Sequence, residues 1–377
     1  MNILIAPDSF KGSLSSEDIC KIGKKALEKA LDNPSIDILP IADGGEGTVD
    51  ALVINTGGRY VNLGVTGPYG EKVNGKYGIL GDEETAVIEM SNASGLALAD
   101  RNNLDPLKST SYGTGEMIRD AVNKGCRKFI IGIGGSATND CGIGMLQALG
   151  FEFQDKDGNS VHGSGGSLGN IVKIEDKNVP KEVLESEYLV ACDVDNPLTG
   201  PRGATMVYGP QKGADSDSLK TLEDGMVHFG NLIENFFIKK IIEVPGAGAA
   251  GGMGAALYGF LDAELKSGFE IIKGVINIDK LIEDKNYDVI FTGEGQMDHQ
   301  TLMGKLVLGI SSLGKKYDIP VIAVCGSLNE GWEDMLDKGL TAAFGITNRP
   351  MHLGDALVNA EDLLYESYYN IGKILKI

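Results

Sequence analysis

Six short apolar runs each end in a loop of glycine, acid and hydroxyl residues, and that repeated junction limits the folds open to this chain. Residues 2–6 open onto PDSFKGS, 38–42 onto DGGEGT, 129–133 onto GGSATND, 188–192 onto DVDNPLTG, 241–244 onto PGAGAAGG and 288–291 onto TGEGQMD. Apolar runs this short suit buried parallel strands, and in open α/β sheets ligands gather outside the carboxyl ends of the strands. Turn-making alone calls for glycine or Asp/Asn. It does not call for Asp8, Asp43, Glu46, Asp140, Asp193, Glu294 and Asp298 all at that edge. Gathered there, those carboxylates would repel one another unless a divalent cation or a lysine offset them.

The densest of these junctions is 132–145, GIGGSATNDCGIGM, in which five of fourteen residues are glycine. Glycine lets backbone approach a ligand closely, and a glycine-rich turn opening a helix favours anions through its unpaired N–H groups and the helix dipole. Ser136, Thr138 and Asn139 add side-chain donors, and Asp140 adds a charge suited to a metal. Acids beside anion-cradling turns are what magnesium-dependent phosphoryl transfer requires, since Mg²⁺ takes one or two carboxylates plus phosphate oxygens and water. Lys11, Lys212 and Lys305 are the basic residues inside glycine-rich loops; taken singly, each reads as a solvated surface lysine.

Length and charge narrow the class. A chain of 377 residues suggests two to three domains. A formal net charge of −19 argues against a nucleic-acid or anionic-membrane surface. Five scattered cysteines without a CxxC pair suit a reducing compartment, and four separated histidines lack zinc spacing. No basic leader precedes the first strand and no apolar run nears membrane-spanning length, so the expected location is cytoplasmic.

Along the chain, strand 2–6, a helix opened by the Ser15/Asp18 capping box, strand 36–41 and a helix over 46–55 make a βαβα opening, which predicts a parallel sheet. Runs 60–65, 72–80 and 85–89 read as an antiparallel meander. The α/β alternation returns from residue 288 to the C-terminus. The expected architecture is therefore α/β with two domains: 1–60 plus 280–377 as one discontinuous parallel-sheet domain, and 61–279 as an inserted mixed α/β domain. The active site is expected in the cleft between them.

Two familiar nucleotide motifs fail on inspection. Residues 246–251, GAGAAG, match GxGxxG literally, but Pro245 interrupts the strand-to-turn junction and no strand ending in an acid follows at the right distance. No Walker A loop is present, because Lys305 is followed by Leu306 without Ser or Thr. Any ATP site must be of another kind.

Taken in order, APDSFKGSLSS (6–16), PIADGGEGT (40–48), GIGGSATNDCGIGMLQALG (132–150), ACDVDNPLTGPRGA (191–204), YGPQKGA (208–214), PGAGAAGGMG (245–254) and TGEGQMDHQTLMGK (292–305) resemble the bacterial glycerate kinases of type I. The resemblance runs almost the length of the chain. It implies a flavodoxin-like α/β domain, a second domain likened to a restriction-endonuclease fold, and ATP- and Mg²⁺-dependent phosphorylation of D-glycerate, typically to 2-phosphoglycerate. Under it, Asp193 is the first candidate for the base that orients the acceptor hydroxyl, with Asp43 second, and Lys11 neutralises phosphate charge. Gly134, Gly135, Ser136, Thr138 and Asn139 would hold ATP phosphates or the glycerate carboxylate. Asp8, Gly44, Gly45, Glu46, Asn196, Gly293, Gly295 and Lys305 are further nucleotide- or substrate-binding candidates, and Asp140, Glu294 and Asp298 the Mg²⁺ candidates. A monomer or homodimer is expected. The rival readings are a kinase of another small hydroxy acid and, in a different class, a nicotinamide-dependent dehydrogenase.

Overall fold

Ile3, Leu4 and Ile5 are all fully buried, as a strand covered on both faces requires, and the sheet that holds them is parallel throughout. In the computed structural model, which describes residues 1–302 and 306–376, its spatial order is Ala342–Gly345, Val321–Cys325, Val289–Thr292, Asn2–Ile5, Ser35–Ile38. Read from the opposite edge and counted along the chain, that order is 2-1-3-4-5, a doubly wound arrangement. Its direction reverses between Asn2–Ile5 and Val289–Thr292. The helix Ser16–Ala30 follows the first strand, and Ser15 caps it by accepting from the Asp18 N–H at 3.1 Å.

This sheet lies in one of two units into which the chain divides: 1–43, 50–55 and 267–377 form the first, and 44–49 with 56–266 the second. The chain thus crosses to its closing segment at 266/267, where the sequence reading had put the crossing near 280. The earlier crossings isolate residues 44–49, because that turn packs against backbone of the second unit. A Cβ on Gly132 would stand 2.7 Å from the Gly44 carbonyl oxygen.

The second unit carries a six-stranded mixed sheet in the order Glu264–Lys266, Glu187–Ala191, Lys128–Gly132, Thr85–Glu89, Lys72–Ile79, Arg59–Thr66. The first four strands are parallel and the last two antiparallel, so the expected meander is present but its third strand also opens the parallel part. Its core gathers Phe129, Tyr188, Phe153, Phe229 and Phe260, with the Phe129 and Tyr188 rings stacked at 5.0 Å.

Several elements between 216 and 285 go beyond the sequence reading, and two show why. Residues 241–244 form a turn instead of a strand: Ile241 and Ile242 give their N–H groups to Glu234 Oε1 at 2.7 and 2.9 Å. A side chain has replaced the ladder a strand would need. The longest helix among the described residues, Ser216–Phe237, lies beyond the elements expected from sequence, and its signals are a capping box of Asp215 and Ser218 and the buried Leu222, Met226, Phe229 and Ile233 at helical spacing.

Candidate functional site

In the first unit, the loops that follow the two strands at the reversal point are bound together. Asp8 donates its N–H to the Gly293 carbonyl at 2.8 Å, and Thr292 Oγ1 donates to the Ala6 carbonyl at 3.0 Å. Gly293 admits no side chain, since a Cβ there would stand 1.9 Å from the Val324 carbonyl oxygen. This crevice is where doubly wound sheets bind ligands. Asp8, only 5 % exposed, accepts from the Ser9 N–H at 2.7 Å. Its carboxyl is pushed up to about 7, first by burial, then by the charges of Asp43 and Glu294, against the pull of the Ser9 N–H and Lys11. Lys11 stands 4.0 Å from Asp43, with its side chain largely exposed. Glu294 is buried and accepts from Thr301 Oγ1 at 2.6 Å, while the Asp298 N–H donates to that same hydroxyl at 3.2 Å. Gly295 lies beside Phe10 and Lys11, its absent Cβ 3.5 Å from the Phe10 Cα. The structure therefore brings Asp8, Lys11, Asp43 and Glu294 together, each delivered by a strand-end loop of one sheet, whereas Asp298 is tied to Glu294 through its main-chain N–H and Thr301, its carboxylate accepting from Gln296 Nε2 at 2.8 Å. Lys305 lies outside the described residues.

In the second unit, the turns at 44–49 and 132–142 stand against each other. A Cβ on Gly134 would meet the Gly45 Cα at 3.4 Å, and Thr48 Oγ1 closes the first turn on the Gly45 carbonyl at 2.8 Å. Glu89, at the end of the neighbouring strand, anchors that turn by accepting from the Val49 N–H at 2.8 Å; the sequence reading treated it only as a strand residue. Gly134 and Gly135 form the exposed tip of the larger turn and Glu46 is exposed on the smaller one, whereas Ser136, Thr138 and Asn139 are buried. The tip is braced by Leu96 N–H to the Gly135 carbonyl and Ala137 N–H to the Ser94 carbonyl, both 2.9 Å.

Asp140 is fully buried, and its carboxylate accepts from the Ser111 N–H and Oγ at 2.8 and 2.7 Å and from the Gly142 and Gly144 N–H groups at 3.2 and 3.3 Å. Burial pushes this carboxyl up and the donors pull it back. With both oxygens committed to the protein's own donors, the carboxylate shapes the turn; the donor set leaves the metal expectation without support in the geometry.

The other strand-end loop of this sheet follows Glu187–Ala191, which pairs with Lys128–Gly132 so that Ala191 sits opposite Gly132. That register sets Asp193, exposed, at the same edge as the glycine-rich turn. Asn196 donates to the Arg202 carbonyl at 2.7 Å and accepts from Tyr208 at 2.6 Å, so its amide braces the loop.

Lys212, in sequence a solvated surface lysine, is buried in the structure. It is 1 % exposed, and Nζ donates to Ser136 Oγ at 2.8 Å and to the Thr138 carbonyl at 2.6 Å. Burial pushes the ammonium down to about 7, against the opposing charge of Asp140. Its place in PQKGA, between glycines that close a helix end, was the only signal available.

The GAGAAG motif also finds its purpose here. Ala250, Gly251 and Gly252 take left-handed conformations in succession, and Cys141, itself at φ 49°, donates its N–H to the Gly251 carbonyl at 2.9 Å. A Cβ on Gly251 would lie 2.1 Å from the Thr138 carbonyl oxygen. These glycines let one backbone rest on another. No strand precedes them, so the dinucleotide-binding context is missing.

Among the described residues, no helix is long and apolar enough to cross a membrane. Nor, among them, do three His, Cys, Asp or Glu side chains group in a way that could hold a metal ion.

Residues 3–376 match the model of the glycerate kinase family. The chain is 43 % identical over 377 residues to the glycerate 2-kinase of Escherichia coli, covering 100 % of this chain and 98 % of that one. It is 41 % identical over 377 residues to the glycerate kinase of Bacillus subtilis, with the same coverage. A crystal structure of a Salmonella typhimurium LT2 protein provisionally named glycerate kinase 2 superposes with a TM-score of 0.89 at 42 % identity, covering 100 % of this chain and 98 % of that one.

Proposed function

This chain belongs to the glycerate kinase family, and we propose that it transfers the γ-phosphoryl group of ATP to a hydroxyl of D-glycerate, giving 2-phosphoglycerate. The observation that carries the reading is the group of acids with one lysine at the reversal point of the parallel sheet. Asp43 and Glu294 lie close enough for their charges, with burial, to push the Asp8 carboxyl up to about 7, a site that a cation would relieve, and Lys11 stands beside Asp43 as phosphate-neutralising charge.

The residues fit Mg²⁺. Asp43 and Asp8 would hold it, and Glu294, held by the Thr301 hydroxyl that the Asp298 N–H also meets, adds its charge to theirs. One or two carboxylates suffice, because phosphate oxygens and water complete the coordination of this ion. When bound, it would offset charge on the phosphates. Asp140 is assigned to the turn and leaves the ligand set.

Asp193 is the proposed acceptor of the substrate hydroxyl proton, with Asp43 second. Ser136 and the exposed glycines Gly134 and Gly135 would provide donors for an anionic oxygen, with Gly45 against Gly134 and Gly44 against Gly132 on the turn that also carries the exposed Glu46. Positioning and charge stabilisation are the two demands of phosphoryl transfer, and these groups answer them without a P-loop.

ATP consumption measured with D-glycerate, with and without Mg²⁺, tests the reading. Phosphorus NMR of the product separates the 2- from the 3-phosphate. Turnover of another hydroxy acid but not glycerate would replace the substrate, and absence of ATP consumption would remove the reaction.

A further inference from the structure

Lys212 has no part in the roles given above, and its surroundings are unlike those of a core lysine. An ammonium taken out of water costs several kcal/mol unless a counter-charge is supplied. Both acceptors of Nζ, Ser136 Oγ and the Thr138 carbonyl, are uncharged. The carboxylate whose charge it feels, Asp140, is already committed to Ser111 and to the turn. In the same turn, Thr138 Oγ1 and Asn139 Oδ1 are buried without a hydrogen-bond partner. Stability alone does not explain a buried cation seated on a turn that also holds two idle polar atoms.

We infer that Lys212 is a positioning residue that turns Ser136 into a fixed hydrogen-bond donor for an anionic oxygen of a ligand held at the Gly134–Ser136 tip. A serine hydroxyl has one proton and two lone pairs. Lys212 donates to one lone pair, so the hydroxyl keeps its own proton for another partner. The Thr138 carbonyl accepts a second N–H and sets the direction of the ammonium. Ser136 is 7 % exposed and adjoins the exposed Gly135, which puts it between the enclosed Lys212 and the tip of the turn. The charge adds long-range attraction for the anion in a region of low dielectric. The inference rests on the kinase reading for the identity of that oxygen: the glycerate carboxylate or a nucleotide phosphate.

Calorimetric titration of D-glycerate and of ADP into the wild-type protein, Lys212→Met, Ser136→Ala and the double variant tests it. Each single variant should weaken one of the two ligands by about tenfold or more. The double variant should be no weaker than the worse single one, because both residues act through one donor. The ligand affected identifies carboxylate or phosphate as the anion. Lys212→Met should melt at or above the wild-type temperature, an outcome opposite to that of a merely structural lysine. Unchanged affinity for both ligands in either single variant, or additive losses, overturns the inference. Should Lys212→Met fail to fold, Ser136→Ala decides: wild-type affinity for both ligands overturns the proposal. Wild-type turnover of ATP with glycerate alongside unaffected variants removes the role of Lys212 and leaves the function standing. Lost binding in the variants of an enzyme that shows no such turnover keeps the anion site and removes the function. A wild-type protein that binds neither ligand overturns both.

Discussion

Replacing Asp140 by alanine separates a turn-building carboxylate from a metal-binding one. The substitution strands four donors in a fully buried site: the Ser111 N–H and hydroxyl at 2.8 and 2.7 Å, and the Gly142 and Gly144 N–H groups at 3.2 and 3.3 Å. A buried donor left without its acceptor costs about 1–3 kcal/mol, and the two short bonds to a charged acceptor belong at the upper end. The two longer ones contribute less, and relief from burying a carboxylate returns part of the loss. The net expectation is about 3–5 kcal/mol. For a unit of this size each kcal/mol moves the melting temperature by about 2–4 °C, so the fall should be about 10 °C or more. Differential scanning calorimetry measures it, with Asp140→Asn as the companion. The amide keeps an acceptor for Ser111 but opposes its own N–H to that of Gly142, so its loss should be smaller, about 1–3 kcal/mol. A wild-type melting temperature in Asp140→Ala, combined with a raised Mg²⁺ requirement for turnover, would refute the structural assignment.

Lys212→Met should show a pH-dependent difference from wild type. The folded ammonium sits at about 7 and the unfolded one near its ordinary value, so between those limits the unfolded chain binds the extra proton and wild-type stability rises with pH. The advantage of the methionine variant is then greatest below pH 7 and should shrink by about 4 kcal/mol by pH 10; a difference that stays flat in urea unfolding across that range would sink it. Gly251→Ala places a Cβ 2.1 Å from the Thr138 carbonyl oxygen at φ +69°, and should lose about 3 kcal/mol or more in the same assay. Asp193→Asn should lower turnover at least about a hundredfold while the circular dichroism melt stays in place, since the residue is exposed. Near-wild-type turnover would reject it as the base. Lys11→Ala should raise the ATP concentration needed for half-maximal rate without moving the melting temperature, because the pair with Asp43 is long and its lysine is largely exposed. Unchanged kinetics would count against its phosphate role.

The parallel sheet of the first unit is legible because its central strands are short and almost wholly apolar and the first is followed by a capped helix. The same rule misread 241–244, where an apolar run is satisfied by the Glu234 carboxylate instead of a neighbouring strand. Ser216–Phe237 carries its helix signal locally, in a capping box and a clean apolar stripe. The acids at the reversal point were found because glycine, acid and hydroxyl recur after successive strands. Asp140 was found by the same vocabulary, yet it does a different job. Residue type marks a carboxylate, but only its neighbours decide whether its oxygens face a ligand or the protein's own amides.

Local pattern determined the elements, the direction of the parallel strands and the loops that bear chemistry, because those depend on periodicity, capping and turn residues close together in the chain. Tertiary structure decided the state of single groups: that Asp8 holds its proton to about 7, that Asp140 is saturated, and that Lys212 is enclosed beneath Ser136. Burial and partner geometry come from segments far apart in sequence. A lysine 76 positions from the serine it touches carries no local mark of that contact.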